Sequence, residues 1–145
     1  MSPTMQNLSP SNSLTPLEVE ATRLLLAGDD PILAKLRQQL EHIRGVNRKV
    51  TGGGFYTTFE LGADAPVLQG TPALEIGDVS GSVDGLPNGA QFVLYVASGK
   101  LHMLEGAVIG WEKWPSDVRS FKLGYGNSQR DWTTLNQILT DASSK

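Results

Sequence analysis

"QFVLYVASGKLHMLEGAVI", residues 91–109, is the stretch on which the fold turns. Its first seven residues are rich in β-branched and aromatic side chains, which suit a pleated, half-buried surface. Ser98-Gly99-Lys100 supplies a turn, and "LHMLEGAVI" resumes the apolar pattern. Two such runs with a short glycine-bearing turn between them predict a β-hairpin. The same punctuation recurs on both sides. Upstream, "EIGDVSGSV" reads as a strand weakened by its glycines, with a bulge expected, and "DGLPNGA" as a turn. Downstream, "SFKLGY" is a further strand with Phe121, Leu123 and Tyr125 on one face.

Working back towards the N-terminus, "VNRKVTGGGFYTTFEL" holds a strand, a glycine turn and another strand. Phe55, Thr57, Phe59 and Leu61 point one way, and Tyr56, Thr58 and Glu60 the other. Residues 62–74 form a loop with two prolines. Before Gly45 the pattern is helical. Thr15-Pro16-Leu17-Glu18 is a capping box with proline at the first helical position. Leu17, Ala21, Leu24 and Leu25 follow at helical spacing, and Gly28 ends the helix. Asp30-Pro31 starts a second helix, with Ile32, Leu33, Leu36, Leu40 and Ile43 on one face. At the far end Asp131 caps a last helix, with Trp132, Leu135, Leu139 and Ala142 on one face.

Helices are thus segregated from strands, and the strand links are mostly too short for crossover helices. The expectation is an α+β fold: an N-terminal helical hairpin packed on a mainly antiparallel, meandering sheet, with a short C-terminal helix. Residues 1–14 are expected to be a disordered tail and 15–145 a single α+β domain, a length that buries a real core.

Composition narrows the function classes. The chain has no cysteine, so a disulfide scaffold, a thiol nucleophile and a Cys-ligated metal are excluded. This fits a reducing cytoplasm, the expected compartment. The net charge of -3 projects no strong field towards nucleic acid or acidic lipid. No apolar run approaches the roughly 20 residues that cross a bilayer, and "MSPTMQNLSPSNSLTP" lacks the parts of a signal peptide. A basic cluster (Lys35, Arg37, Arg44, Arg48, Lys49) has few interleaved aromatics, so no nucleic-acid partner is expected.

Motifs for chemistry are scarce. The glycines at 52–54 precede Phe55 and Tyr56 rather than the lysine and hydroxyl of a phosphate loop, and read as a hairpin turn. His42 lies near the end of helix two, where the helix dipole favours a cation. His102 is mid-strand, and a pair with Glu105 needs a bulge, since residues three apart face opposite sides of a strand. No histidine spacing suits a metal, and no nucleophile elbow is present. No catalytic residue, metal ligand or cofactor is expected.

Charge is unevenly spread. Residues 51–118 hold eight acidic side chains (Glu60, Asp64, Glu75, Asp78, Asp84, Glu105, Glu112, Asp117) against Lys100 and Lys113. The sheet region is therefore the acidic part, a surface suited to a cationic partner. "LEGAVIGWEKWP", residues 104–115, adds two tryptophans to a glycine-hinged loop. One of them is expected to seal a sheet corner, while exposed tryptophans are enriched at binding hot spots. The candidate partner-binding residues are Trp111, Trp114, Glu112, Glu105, Asp78 and Asp84.

"GFYTTFEL" followed some forty residues later by "GKLHMLEGAVIGWEKWP" resembles a pattern in small bacterial α+β proteins. These have an αα-hairpin, a central "GFYT-F" segment and a late "LEG…WP" segment, and some are similar to immunity proteins of polymorphic toxin systems. Ala107 stands where an aromatic follows "LEG" in that pattern. The resemblance implies a non-catalytic protein-binding role and assigns no site residues. The leading expectation is thus a bacterial interaction module, immunity-like, for a basic protein partner. The alternatives are a small-ligand domain with an apolar pocket near Phe55, Phe59, Phe92 and Tyr95, and a hydrolase using His102 with Glu105 or Asp78.

Overall fold

The computed structural model describes residues 14–70, 73–126 and 129–143. Two helices come first, α1 (Pro16–Leu25) and α2 (Pro31–Gln39), and a 3-10 turn (Leu40–His42) leads into the sheet. Six strands follow: β1 (Ile43–Val50), β2 (Gly54–Leu61), β3 (Leu74–Val83), β4 (Leu86–Ala97), β5 (Lys100–Val108) and β6 (Phe121–Gly124). Helix α3 (Trp132–Ser143) closes the described chain. The fold is α+β, and every strand pair is antiparallel.

The strand order is β1-β2-β5-β4-β3-β6. It is not one meander. The hairpin β1–β2 and the meander β3–β4–β5 are joined by pairing β2 with β5, so β3, the next strand in sequence after β2, lies beyond both β5 and β4. Buried Gln39 fastens the connection from β2 to β3: its amide N–H groups donate to the carbonyls of Pro66 (2.7 Å) and Gly99 (2.9 Å), and its oxygen accepts from the Leu101 N–H (2.7 Å).

Two boundaries differ from the sequence reading. Ile43 opens β1 instead of extending helix two, because the 3-10 turn rotates it into the sheet. "PNGA" belongs to β4; only Asp84 and Gly85 turn the chain. The expected tail falls almost wholly outside the described residues, and Leu14, its last member, packs against the core.

The core lies between the sheet and the helices. Phe55 and Phe59 of β2, Phe92 and Leu94 of β4, Ile76 of β3 and Leu104 of β5 meet Leu25, Leu33 and Leu36 from the helical hairpin and Leu135 and Leu139 from α3. Gly106 leaves room for the Phe55 ring, which a Cβ there would strike. Helix α1 starts with the expected box: Thr15 Oγ1 accepts from the Glu18 N–H (3.1 Å), and Glu18 accepts from the Thr15 N–H (2.8 Å).

The far end of α1 is closed by side chains. The Tyr125 hydroxyl donates to the Leu24 carbonyl, Arg130 to those of Leu25 and Ala27, and Arg37 to those of Leu26 and Gly28. Carbonyls that a helix end leaves without an intrahelical partner are thereby satisfied. Gly28, with φ +131°, sits under the Trp132 ring, where a side chain would collide.

Candidate functional site

Backbone register places the second face of the sheet. Lys49 stands beside Tyr56, Tyr56 beside Glu105, and Glu105 beside Val93. In the next row Asn47, Thr58, Met103, Tyr95 and Glu75 are neighbours in turn. Their alternate neighbours along each strand are the core residues, so this row set faces away from the core. Tyr56, Val93, Tyr95 and Met103 are each partly exposed there. Glu60 and Glu75, both exposed, flank them.

Tyr95 and Glu105 are joined on this face. The hydroxyl donates to Glu105 Oε1 at 2.7 Å. That hydrogen bond, then burial, then the charges of Glu105 and Glu75, push the tyrosine pKa up to about 12 from 10.0. Its folded-state pKa is therefore raised above the unfolded one. The stabilisation from this pair is fully present below about pH 10 and is lost as pH rises through about 12. Absorbance titration is expected to show Tyr95 ionising late, alongside Tyr125, which burial also pushes up, and Glu105→Gln should return only the Tyr95 step towards pH 10. An unchanged titration in the variant would contradict the pairing.

The six residues expected to bind a partner do not form one patch. Glu105 lies on the open face. Trp111 is 99% exposed, three residues beyond the end of β5. Trp114 seals a corner instead: its ring meets Phe55 edge-on at 4.9 Å, and its N–H donates to the Gly52 carbonyl at 2.7 Å. Glu112 tucks Oε1 beneath Gly110, with no hydrogen-bond partner there. Asp84 occupies the β3–β4 turn, exposed. Asp78 is held by buried Arg130, Nε to Oδ2 at 2.7 Å, and so is a structural ion-pair partner. Sequence reasoning left out Val93 and Met103. The signal for Val93 was available in the alternation along β4, where it lies between buried Phe92 and Leu94; Met103 was hidden by the bulge at exposed His102, which breaks the alternation of β5.

The groups considered for chemistry stay apart. His102 is the extra residue of a bulge, since Tyr95 pairs with Met103 and Val96 with Leu101. The bulge exists, yet no hydrogen bond joins His102 to Glu105 or Asp78 among the described residues. His42 faces Asp64 at 3.4 Å on the surface. Gly52 and Gly53 form the β1–β2 turn. Among the described residues no group of three or more His, Asp or Glu is arranged to hold a metal, and no helix is long and apolar enough to cross a membrane.

The aromatics expected to line a pocket are also separated. Phe59 and Phe92 are core, and Tyr95 is on the opposite face. Phe55 borders a cleft of about 640 Å³ between the first turn of α1, the ends of β1 and β2, and residues 114–121, while Tyr95 lines a separate pocket of about 490 Å³ with Glu75, His102 and Ile138. In the wall of the larger cleft Arg48 grips Glu18 with Nε (2.7 Å) and Nη2 (2.5 Å), and Thr57 donates its hydroxyl to the same carboxylate. The bond to Glu18 raises the Arg48 pKa above its ordinary value.

No family model, curated protein or solved structure matches this chain.

Proposed function

We propose that this chain is a non-catalytic protein-interaction module that binds a cationic protein partner through the open face of its sheet. The observation that carries this is the composition of that face: Tyr56, Val93, Tyr95 and Met103, with Glu60, Glu75 and Glu105 among them. Tyrosine and methionine are enriched in protein interfaces, and acidic groups steer a basic partner. Trp111, fully exposed beyond β5, is the natural anchor at the end of the face. The resemblance of the "GFYTTFEL" and "LEGAVIGWEKWP" segments to immunity-like bacterial proteins favours the same role.

The test is affinity capture with the wild type beside a Glu60→Lys/Glu75→Lys variant and a Trp111→Ala variant. All three must first give the same circular dichroism spectrum. A basic protein held by the wild type at about 50 mM salt, released at about 500 mM and lost by the charge-reversed variant is the expected outcome. Equal retention by the wild type and the charge-reversed variant sinks the proposal.

A further inference from the structure

We propose that Asn88 is a site of spontaneous deamidation, and that its conversion to aspartate or isoaspartate loosens the loop that carries Trp111. Asn88-Gly89 is the one asparagine–glycine pair of the chain. In such a pair the following backbone nitrogen has no side chain beside it to shield it from the asparagine carboxamide.

The fold leaves this pair outside its regular ladders. Val83 pairs with Leu86 and Gly81 with Ala90, so Pro87, Asn88 and Gly89 stand opposite Ser82 alone. Pairing of β4 with β5 starts only at Ala90. Asn88 thus sits in a bulge and is exposed. The glycine after it is required by the backbone: its φ is +75°, and a Cβ there would strike the Gly81 carbonyl. The other asparagines of the described residues, Asn47 in β1 and Asn136 in α3, precede Arg48 and Gln137, whose side chains screen the attacking nitrogen.

The step needs only water. The Gly89 backbone nitrogen loses its proton and attacks Asn88 Cγ. A bond forms between them, the Cγ–Nδ2 bond breaks, and ammonia leaves with the proton. Water then opens the resulting five-membered imide at either carbonyl, giving aspartate or isoaspartate.

Both products disturb the loop after β5. Ile109 donates its N–H to the Gly89 carbonyl at 3.0 Å, and isoaspartate lengthens the main chain by one carbon just before that carbonyl. Above Gly110, Glu112 Oε1 and Asn88 Nδ2 stand 2.7 Å and 3.3 Å from the point where a Cβ would be. Aspartate puts a charged oxygen in place of that amide, facing a carboxylate oxygen that already has no hydrogen-bond partner. Glu112 is then driven out from beneath Gly110. Trp114 stays on Phe55 and Gly52, so the loosening is confined to residues 109–113.

The experiment ages the folded protein in mildly alkaline buffer beside Asn88→Gln, whose longer side chain closes the imide poorly, and beside wild type unfolded in urea. Peptide mapping should show a gain of one mass unit and an isoaspartyl residue in the folded wild type, confined to the peptide that holds Asn88 and absent from Asn88→Gln. Hydrogen exchange should show residues 109–113 losing protection in the aged protein and in fresh Asn88→Asp, with protection regained when Glu112→Gln is added to Asn88→Asp. No mass gain in the folded wild type, while the unfolded chain gains it, overturns the site. Unchanged exchange in Asn88→Asp, or no recovery with Glu112→Gln, overturns the link to the loop. The importance of the loop for a partner rests on Trp111 being the anchor of the function proposed above; the mass and exchange readouts do not depend on it, so the two fail separately.

Discussion

Arg130→Ala is expected to remove about 3–5 kcal/mol from the unfolding free energy, the usual cost of breaking a buried ion pair from one side. The Arg130 side chain is 2% exposed. It makes two hydrogen bonds to Asp78 and two to the carbonyls of Leu25 and Ala27. Its guanidinium also lies 5.0 Å from the Tyr125 ring centre and 5.4 Å from that of Trp132. One planar group therefore holds the end of α1, the middle of β3 and the start of α3. Truncation leaves the Leu25 and Ala27 carbonyls without these donors and the Asp78 carboxylate without its counter-ion. Lysine should restore little, because a single ammonium cannot reproduce the fork. Asp78→Asn should cost less, since its amide oxygen still accepts from Arg130 and the bonds to the Leu25 and Ala27 carbonyls remain. Urea denaturation measures all three; a loss below about 1.5 kcal/mol for Arg130→Ala would show the cluster to be incidental.

The second large effect is expected at Glu18. Glu18→Ala should destabilise by about 2–4 kcal/mol, from a lost helix cap of about 1 kcal/mol and charged hydrogen bonds of about 1.5–3 kcal/mol. The lower range relative to Arg130 has a physical reason. The charged partners left behind, Arg48 and Asp78, are equally exposed at 30%, but Arg130→Ala also strands the carbonyls of Leu25 and Ala27. A double-mutant cycle with Arg48→Ala isolates the pair, and a coupling near zero would assign the loss to the cap alone. Glu18→Gln, which keeps an acceptor for the Thr15 N–H, should retain the helix and lose most of the coupling.

These two clusters mark the boundary of what the sequence discloses. Thr15-Pro16-Leu17-Glu18 announced the start of α1, because capping is a relation between residues three apart. The same Glu18 also meets Arg48 and Thr57, 30 and 39 residues away, and local spacing carries no trace of that. Asp78 read as a surface acid, and only its approach to Arg130, 52 residues on, removes it from the surface set. The β2 alternation was legible, so half of the open face was in view from Tyr56, Thr58 and Glu60. The rest depended on β5 lying between β2 and β4, a non-sequential neighbour relation. Trp111 and Trp114 separate for a similar reason: one is captured by Phe55, nearly sixty residues earlier, and the other has no such ring to meet.

The insertion of β5 between β2 and β4 has a consequence for a chain growing from its N-terminus. When β2 has been made, Phe55 and Phe59 have the β1 hairpin and the helical hairpin beside them, but their neighbours on the other edge of β2, Leu104 and Gly106 among others, do not yet exist. Closing that contact joins residues about fifty apart in sequence, Phe55 with Gly106 among them, a non-local step that slows folding. Until then a pair of partly covered aromatic rings and an unpaired β2 edge face water together, the combination that draws chains into aggregates during synthesis. Translation speed between residues 62 and 107 therefore sets how long the nascent protein stays vulnerable.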